Sequence, residues 1–269
     1  MMSDVLISFV VPAFNEEALI ASCLAAIRAE VERTGCRAEI IVVDNGSTDG
    51  TRRVASSIPG VVIVDEPQRG LVQARRAGCL AANGELIANI DADTMLSEGW
   101  LRTALDEFTR SPHLVALSGP CIYYDLPRSS QLIAAMFYRI AFATYLFVRF
   151  VLGAGSMIQG GNFIVSKSAL EAAGGFNSDF RFYGEDTDLA LRLSKVGPVK
   201  FSLRLPALSS GRRFAAEGLF RAGLRYAVNY VWTIFFKHPF TLTWLDVRQP
   251  SDGTGVAGSK ADRVVPSLD

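Results

Sequence analysis

The sequence predicts an α/β protein with a mostly parallel central sheet and helices on both faces. Continuous apolar runs alternate with segments of helical periodicity over the first 90 residues, which is the pattern of repeated βαβ units. The chain has 269 residues, of which 49% are hydrophobic, so it can bury the core of one large domain. Acidic residues follow several of the apolar runs, at the sheet edge where such folds bind ligands.

The first predicted elements form a βαβ unit. Residues 5–11 are an unbroken apolar run that ends at Pro12, as in a strand buried on both faces. Helical spacing then predicts a helix from near Asn15 to Val31, and residues 39–43 predict the next strand. The alternation continues with a helix to about Ser57, a strand at 61–64, a helix at 71–82 and a strand at 85–90.

The regular alternation ends after residue 90. A helix is predicted at 98–110 and a strand at 114–118, followed by a long apolar stretch at 131–152. The remaining predicted elements are helices at 167–173, from Glu185 onward and at 214–238. Residues 249–269 are rich in Gly, Ser, Asp and Pro, so we expect a disordered tail behind a domain at 1–248.

The formal net charge is zero, but the two halves of the chain differ in sign. Residues 1–127 contain 10 Lys or Arg and 17 Asp or Glu, whereas residues 128–269 contain 17 and 10. An acidic half suits a metal site, and a basic half suits phosphates or an anionic membrane surface. Two ordinary solvated faces would give the same pattern.

Cysteine usage and the N-terminus indicate the cytoplasm. The four cysteines are dispersed without a CxxC pair, so neither a zinc site nor a disulfide framework is predicted. No basic residue precedes the apolar run that starts at Val5, and Asp4 stands where a signal peptide would be basic. We expect a cytoplasmic protein. If it binds a membrane, it binds the cytoplasmic face.

Carboxylates at strand ends are the first chemical signal. Asp44 follows the run IIVV, and Asp91 and Asp93 directly follow LIANI. Carboxylates are costly to bury unless a cation or hydrogen-bond donors meet them. Mg²⁺ and Mn²⁺ prefer carboxylate and phosphate oxygens, so a divalent ion is one explanation. An Asp-rich turn without any ligand is the other.

A second acidic cluster stands where a loop enters a helix. Glu185 and Asp186 follow Gly184, and acidic residues in a first helical turn ordinarily stabilise the helix N-terminus. In a chain that has a metal-type cluster already, a carboxylate here can instead take the proton of an attacking hydroxyl. Asp186 is therefore a candidate general base.

Taken together, these segments resemble glycosyltransferase family 2. The resemblance rests on VVPAFNEE, VVDNGSTDGT, the Asp91-Ala92-Asp93 triplet, GGNFIVSKSALEAAGGF and FYGEDTDLALRL, in that order over residues 7–197. It implies a GT-A fold with a nucleotide-binding half at about 1–120 and an acceptor half at about 121–248. It also implies an inverting transfer from a nucleotide-diphosphate sugar, assisted by Mg²⁺ or Mn²⁺.

The resemblance assigns donor-binding roles to the first half of the chain. The segment Pro12-Ala13-Phe14-Asn15-Glu16 would line the nucleotide pocket, with Glu16 near the ribose or base. Asp44 would recognise the base, with Asn45 beside it. Asp91 and Ala92 would lie by the ribose and diphosphate, and Asp93 would hold the metal.

The resemblance also places basic residues and the catalytic pair. Arg75 matches a basic position that faces the donor, although a solvated helix arginine is the alternative. Glu185 and Asp186 match the acidic pair whose second member is the base. Arg212 and Arg213 lie where relatives have a histidine metal ligand, and either arginine would instead neutralise the diphosphate.

We expect a UDP- or GDP-sugar donor and a glycan, glycolipid or polyprenyl-phosphate acceptor, and no nucleic-acid partner. Two alternatives remain open at the sequence level. A nucleotidyltransferase shares an α/β sheet and paired carboxylates, but VPAFNEE lacks the expected run of Gly, Arg and Lys. A non-catalytic nucleotide-sugar-binding protein would lack Asp93 or Asp186, and this chain has both.

Two segments predict contact with a membrane surface, namely 131–152 and 219–240. The first is long enough to span a bilayer, but one crossing would separate Asp93 from Asp186. A polar stripe along it, formed by Gln131, Tyr138, Tyr145 and Arg149, favours a helix in the membrane plane. Burial in the core or in a dimer interface is the alternative.

Overall fold

The computed structural model describes residues 5–150, 157–247 and 264–265. Its first half follows the predicted alternation of strands and helices. The elements are β1 (Leu6–Ala13), α1 (Ile20–Thr34), β2 (Arg37–Asp44), α2 (Thr51–Ser56), β3 (Val61–Asp65), α3 (Leu71–Ala81) and β4 (Leu86–Ile90).

The second half contains more strands than the sequence predicts. Its first elements are β5 (Thr94–Leu96), α4 (Trp100–Arg110), β6 (Ala116–Ser118), β7 (Cys121–Tyr123), α5 (Arg128–Phe150), β8 (Asn162–Ser166) and α6 (Lys167–Ala172). They are followed by α7 (Glu185–Leu193), β9 (Val199–Phe201), β10 (Ala207–Ser209), α8 (Arg212–Glu217), α9 (Leu219–Phe236), β11 (Trp244–Leu245) and β12 (Val264–Val265).

The main sheet has seven strands in the order β3-β2-β1-β4-β8-β6-β9. Strands β3, β2, β1 and β4 are parallel, and β9 is parallel to β6. Strand β8 runs antiparallel to both of its neighbours, β4 and β6. The expectation of a mostly parallel sheet is therefore confirmed, with one antiparallel strand in its interior.

Helices cover both faces of this sheet. Alternate residues of β1 pack in opposite directions, as the two-residue period of a strand requires. Phe9 and Val11 join a core with α1 and α4, whereas Val10 packs with α3, α6 and α7 on the other face. The continuous apolar run of β1 is thus explained by burial on both faces.

A smaller three-stranded sheet, in the order β5-β10-β7, lies beside the carboxyl end of β4. In it β10 pairs antiparallel with β5, so Ser209 lies opposite Thr94. This pairing brings the start of α8 next to Asp93, because Ser210 donates its backbone N–H to the Asp93 carbonyl at 3.2 Å.

Three elements of the structure differ from those predicted. Helix α1 begins at Ile20 and not near Asn15, whose φ of 52° is left-handed and does not continue into a helix. The single helix predicted at 214–238 is two helices, because the chain turns at Gly218 with a φ of 86°. Strand β8 was not predicted, because its apolar run at 163–165 has only three residues.

Two predictions reach beyond the described residues. The disordered tail at 249–269 lies outside them except for Val264–Val265, which pairs antiparallel with Trp244–Leu245. The apolar stretch at 131–152 forms most of α5, and its last two residues lie outside. Among the helices of the described segments, none is long and apolar enough to cross a membrane.

Candidate functional site

The carboxyl ends of β1, β2 and β4 meet at one edge of the main sheet, as parallel pairing requires. The start of α7 and the start of α8 reach the same edge, because Glu185 and Arg212 contact residues that lie there. Together with α3, which carries Arg75, six separate segments of the chain therefore contribute side chains to one edge.

The loop after β1 is held against the loop after β2. Asn15 accepts the Thr48 backbone N–H at 2.8 Å, and its own N–H donates to Ser47 Oγ at 3.2 Å. The backbone N–H of Glu16 donates to Thr51 Oγ1 at 2.7 Å. These bonds fix the segment predicted to line a nucleotide pocket, including the left-handed turn at Asn15.

Asp44 and Asn45 end β2 with different surroundings. Asp44 accepts the backbone N–H of Ser47 at 3.0 Å and has Arg52 at 3.7 Å. Asn45 donates twice, to the carbonyls of Glu66 and Gln68 at 2.8 Å each, and its Oδ1 accepts the N–H of Gly70 at 2.8 Å. Both amide protons of Asn45 are thus used by the backbone, so this residue positions the loop.

One arginine joins the ends of β1 and β4. Arg212 Nη2 donates to Asp93 Oδ2 at 3.0 Å and also pairs with Glu16. Glu16 is 5% exposed, so its carboxylate is buried beside this arginine. Arg213 points elsewhere, toward Glu217 at 3.1 Å. Of the two predicted cations, the structure brings Arg212 to the carboxylates.

A second arginine joins β4 to α7. Arg75 is 1% exposed, so the interpretation of a solvated helix arginine is wrong. Its Nη2 donates to Asp91 Oδ1 at 2.8 Å, and its Nη1 pairs with Glu185. Arg75 therefore positions two predicted site carboxylates by neutralising both.

The two carboxylates at the start of α7 differ in their partners. Burial raises the pKa of Glu185 to about 7, although Arg75 opposes that rise. Burial also raises the pKa of Asp186, whose Oδ1 accepts the Thr187 N–H at 2.8 Å. Among the described residues, Asp186 forms no ion pair. Its carboxylate is thus the less neutralised member of the pair.

Tyrosines surround the Asp186 side of the cluster. The charge of Asp186 contributes to raising the pKa values of Tyr226 and Tyr230, both on α9, after burial as the main cause. The ring of Tyr183 lies 5.5 Å from that of Tyr226. An acceptor that approaches Asp186 from α9 would meet aromatic rings and hydroxyl groups.

The carboxylate oxygens at the end of β4 fit a divalent ion that is also coordinated by the phosphates of a bound substrate. The described residues contain no group of three or more His, Cys, Asp or Glu side chains placed to hold a metal alone. Mg²⁺ commonly uses one or two carboxylates together with substrate phosphates and water. Asp93, whose side chain is 17% exposed, can supply such a ligand once Arg212 turns away from it.

Two residues that support the site were not predicted from the sequence, Asn162 and Asp125. Asn162 accepts from Trp100 Nε1 at 2.8 Å and donates to the Leu205 carbonyl at 2.9 Å, which ties β8 to its surroundings. Asp125 accepts from Ser210 Oγ at 2.6 Å and so anchors the chain before α8. No local pattern marks Asp125, whereas Asn162 lies within the segment GGNF and was not assigned a role.

Comparison of the sequence with known families gives one match over most of the chain. The family model described as Glycosyl transferase family 2 matches residues 8–174. An uncharacterized glycosyltransferase of Mycobacterium tuberculosis is 40% identical over 109 residues, which are 40% of this chain and 46% of that protein. A dolichyl-phosphate beta-glucosyltransferase of Trichomonas vaginalis is 36% identical over 116 residues, covering 39% and 32%. The chain thus spans a third to a half of these curated relatives.

Solved structures share the fold. A mannosyltransferase of Pyrobaculum calidifontis, in complex with GDP-Man and Mn²⁺, has a TM-score of 0.64 at 22% identity, covering 87% of this chain and 64% of its own. Glucosyl-3-phosphoglycerate synthase of Mycobacterium tuberculosis, in complex with Mn²⁺, UDP and phosphoglyceric acid, has a TM-score of 0.61 at 20% identity, covering 90% and 83%. The α/β architecture described above is therefore the GT-A fold.

Proposed function

Because the chain belongs to glycosyltransferase family 2, we propose that it moves a sugar, with inversion, from a nucleoside-diphosphate donor to a glycan or lipid-linked acceptor. One observation carries this proposal. The strand-end edge holds Asp93 beside a cation, Arg212, and a separate carboxylate, Asp186, without an ion pair in the described residues. These are the two groups that such a transfer requires, one at the leaving group and one at the acceptor.

The donor side follows from charge. A leaving nucleoside diphosphate gains negative charge as its bond to the sugar breaks, and positive groups nearby stabilise that charge. Arg212 can turn its guanidinium from Asp93 and Glu16 to the oxygens of a phosphate. Carboxylates and phosphates are both anions that can accept two hydrogen bonds from one guanidinium. Bound Mg²⁺ or Mn²⁺ on Asp93 would add positive charge at the same place. The Mn²⁺ in both neighbouring structures supports this.

The acceptor side follows from proton transfer. An acceptor hydroxyl must lose its proton as it attacks the anomeric carbon, and Asp186 can accept that proton. A pKa raised by burial makes Asp186 a stronger base than an ordinary aspartate. Attack opposite the leaving diphosphate inverts the configuration of the sugar, and no bond between sugar and enzyme forms. Glu185 does not compete well, because Arg75 already holds its carboxylate.

The proposal extends to the identity of the donor and of the acceptor. A UDP- or GDP-sugar donor is supported by the UDP and GDP-Man complexes of the neighbours. A polyprenyl-phosphate acceptor is supported by the dolichyl-phosphate relative, and glycans and glycolipids are the other acceptors that this chemistry fits. Family membership argues against the nucleotidyltransferase alternative. We also propose peripheral association with the cytoplasmic face of a membrane.

The proposal is tested by measuring nucleotide binding and sugar transfer with and without metal. UDP and GDP should each be tested by thermal shift and calorimetry with Mn²⁺, Mg²⁺ or excess chelator. We expect one nucleotide to bind tightly only with metal, and Asp93→Asn to lose that metal dependence. Asp106→Asn is the matched control, since Asp106 is an exposed carboxylate on α4. Metal-dependent binding that is unchanged in Asp93→Asn would refute the donor site.

A further inference from the structure

Helix α5 turns its polar side toward the protein and its apolar side outward. Tyr138 is buried and bonds to Tyr123 at 3.1 Å and to Gln159 at 3.0 Å, and buried Tyr145 donates to the Val199 carbonyl at 3.2 Å. Up to Leu146, the last residue of this helix whose side chain is described, the exposed large apolar side chains are Leu132, Ile133, Met136, Phe137, Ile140 and Leu146. A helix on the surface of a water-soluble domain has the opposite arrangement, so this face requires a partner.

Helix α9 has the same arrangement. Its buried residues include Asn229 and Thr233, and Asn229 Oδ1 accepts the backbone N–H groups of Phe240 and Thr241 at 3.0 and 2.9 Å. The exposed large side chains of this helix are Phe220, Leu224, Val231, Phe235 and Phe236. The connection behind the helix, folded back by Asn229, adds exposed Phe240 and Leu242.

Aromatic contacts connect the inner sides of the two helices. Tyr138 of α5 bonds to Tyr123, whose ring centroid lies 4.7 Å from that of Phe214 on α8. The Phe214 ring centroid in turn lies 6.2 Å from that of Tyr226 on α9. The two helices therefore cover one aromatic interior, and their outer apolar faces are together called the α5–α9 surface.

Charge identifies the partner. The chain has no Asp or Glu between Asp125 and Glu171, and none between Glu217 and Asp246. The same two segments carry exposed cations, which include Arg128, Arg139, Arg221 and Lys237. Aromatic and aliphatic side chains next to cations, without a single acid, complement the headgroups and acyl chains of an anionic lipid surface.

The inner side of α9 reaches the proposed base. Gly184, which precedes Glu185 and Asp186, packs so tightly on Thr233 of α9 that a side chain there would overlap its hydroxyl. Asp186 also acts electrostatically on Tyr226 and Tyr230 of that helix. Since an α-helix is about 10 Å across, the outer face of α9 lies roughly one helix diameter from Asp186.

We propose that the α5–α9 surface docks on an anionic membrane and that the acceptor reaches Asp186 from that membrane as a lipid-borne group. The docking follows from the exposed faces and their charge alone. The statement about the acceptor rests on the proposed function. It selects a glycolipid or polyprenyl phosphate over a free glycan.

The first experiment is flotation with vesicles of phosphatidylcholine, alone or mixed with phosphatidylglycerol. The wild-type protein should float with the mixed vesicles, bind neutral vesicles less, and partly dissociate in high salt. Ile133→Glu and Phe235→Glu should each lower the partition coefficient at least tenfold, because a charge replaces an apolar anchor. Leu80→Glu is the matched control, since Leu80 lies on α3 and is 78% exposed, against 51% for Ile133 and 73% for Phe235, and it should bind as the wild type does.

A second set of variants tests the exposed cations of the two helical segments. Arg139→Gln combined with Lys237→Gln should weaken binding to the anionic vesicles several-fold and leave binding to neutral vesicles unchanged. Arg102→Gln, an exposed arginine on α4, should change neither. Thermal melting and nucleotide binding of every variant, measured without vesicles, check that the fold and the donor site are intact.

The remaining outcomes bear on separate parts of the proposal. Wild-type protein that stays with the aqueous fraction at low salt has no membrane-docking surface. If Ile133→Glu converts an oligomer to a monomer in sedimentation velocity while no form floats, the surface is an interface between copies of this chain. The failure of donor binding would refute the proposed function and leave the flotation result standing, so the two are distinguishable. Transfer to soluble and vesicle-bound acceptors at equal rates would refute the acceptor statement alone.

Discussion

Two arginines organise the site at the scale of single residues. Arg75 holds Asp91 and Glu185, and Arg212 holds Asp93 and Glu16, so four carboxylates that would repel one another share two cations. The arginines differ in exposure, because the Arg75 side chain is 1% exposed and that of Arg212 is 25% exposed. Arg75 is therefore held in place by its two carboxylate partners, whereas Arg212 is accessible to an incoming anion.

Arg75→Met should destabilise the protein by about 3–5 kcal/mol, because it leaves Glu185 buried without its cation. Urea unfolding measures the loss. Arg76→Met is the control, since the adjacent Arg76 is exposed, and it should cost less than about 0.5 kcal/mol. Adding Glu185→Gln to Arg75→Met should recover part of the stability, and the absence of any recovery would contradict the pairing.

Asp186→Asn should lower turnover roughly 10²–10⁴-fold while nucleotide affinity stays near that of the wild type, because the amide cannot accept a proton. Steady-state kinetics and calorimetry separate the two effects. Glu185→Gln is the paired control and should reduce turnover less, since Arg75 already engages Glu185. If Asp186→Asn turns over like the wild type, Asp186 is not the base, and if only Glu185→Gln is inactive, the two roles are exchanged.

Asp186→Asn should also change how stability depends on pH. Burial raises the pKa of Asp186 in the folded state, so the folded protein holds this proton more tightly than the unfolded chain. Wild-type stability should therefore fall as the pH rises from the pKa of Asp186 in the unfolded chain to its higher pKa in the folded protein. The Asp186→Asn variant should not show this loss. The stability difference in favour of Asp186→Asn, from urea unfolding at pH 4 to 8, should grow with pH. A difference that is constant with pH would contradict the raised pKa.

At the scale of elements, the junction between β4 and β8 positions Asp91. Gly161 precedes β8 and lies against the Asp91 side chain, where a Cβ would overlap the carboxylate. The backbone at this junction is joined by a hydrogen bond from Asp91 N–H to the Gly161 carbonyl at 3.4 Å. The two glycines before Asn162 in the segment GGNF therefore leave room for a carboxylate.

Gly161→Ala should weaken nucleotide binding at least tenfold with a loss of stability of only about 1 kcal/mol, because the methyl group displaces the Asp91 carboxylate from Arg75. Calorimetric titration with the nucleotide and metal measures the first effect. Gly223→Ala is the control, since nothing lies within 4 Å of its added Cβ, and it should stabilise α9 by about 0.5–1 kcal/mol. Unchanged nucleotide affinity in Gly161→Ala would show that Asp91 is not positioned by this contact.

At the scale of the whole molecule, the predicted nucleotide-binding and acceptor halves are interleaved. Strand β8 comes from the second half of the chain and lies between β4 and β6, which come from the first. The start of α8 returns to the carboxyl end of β4, so Arg212 meets Asp93 across 119 positions of sequence. Neither half can complete the sheet or the site without the other.

The chain should therefore unfold in one cooperative transition. Urea unfolding followed by far-UV circular dichroism should coincide with the tryptophan fluorescence of two double variants. Trp232→Phe with Trp244→Phe keeps only buried Trp100, and Trp100→Phe with Trp244→Phe keeps only Trp232 on α9. Nucleotide with metal should shift all curves together, because the ligand binds a site made by both halves. Separate midpoints for the two tryptophan reporters would contradict this single unit.

The sequence by itself determined the strands of the first half and the edge where the carboxylates gather. Apolar runs specify strands buried on both faces, and parallel strands must end at a common edge, so Asp44 and Asp91 were predicted to lie at the same edge of the sheet. The family motifs, with Asp93 and Asp186, were also readable, because each motif is contiguous in sequence. The periodicity of 131–152 predicted an amphipathic helix but not which side would meet the protein.

Only the tertiary structure decided which partners those residues meet. The sequence left Arg75 facing either a donor or solvent, and the packing of α3 against the sheet excludes solvent by burying it between Asp91 and Glu185, 16 and 110 positions away. The antiparallel course of β8, the choice of Arg212 over Arg213 and the outward apolar face of α5 were decided in the same way. Periodicity and motifs record local preferences, whereas these contacts arise from long-range packing that optimises burial and charge pairing over the whole chain.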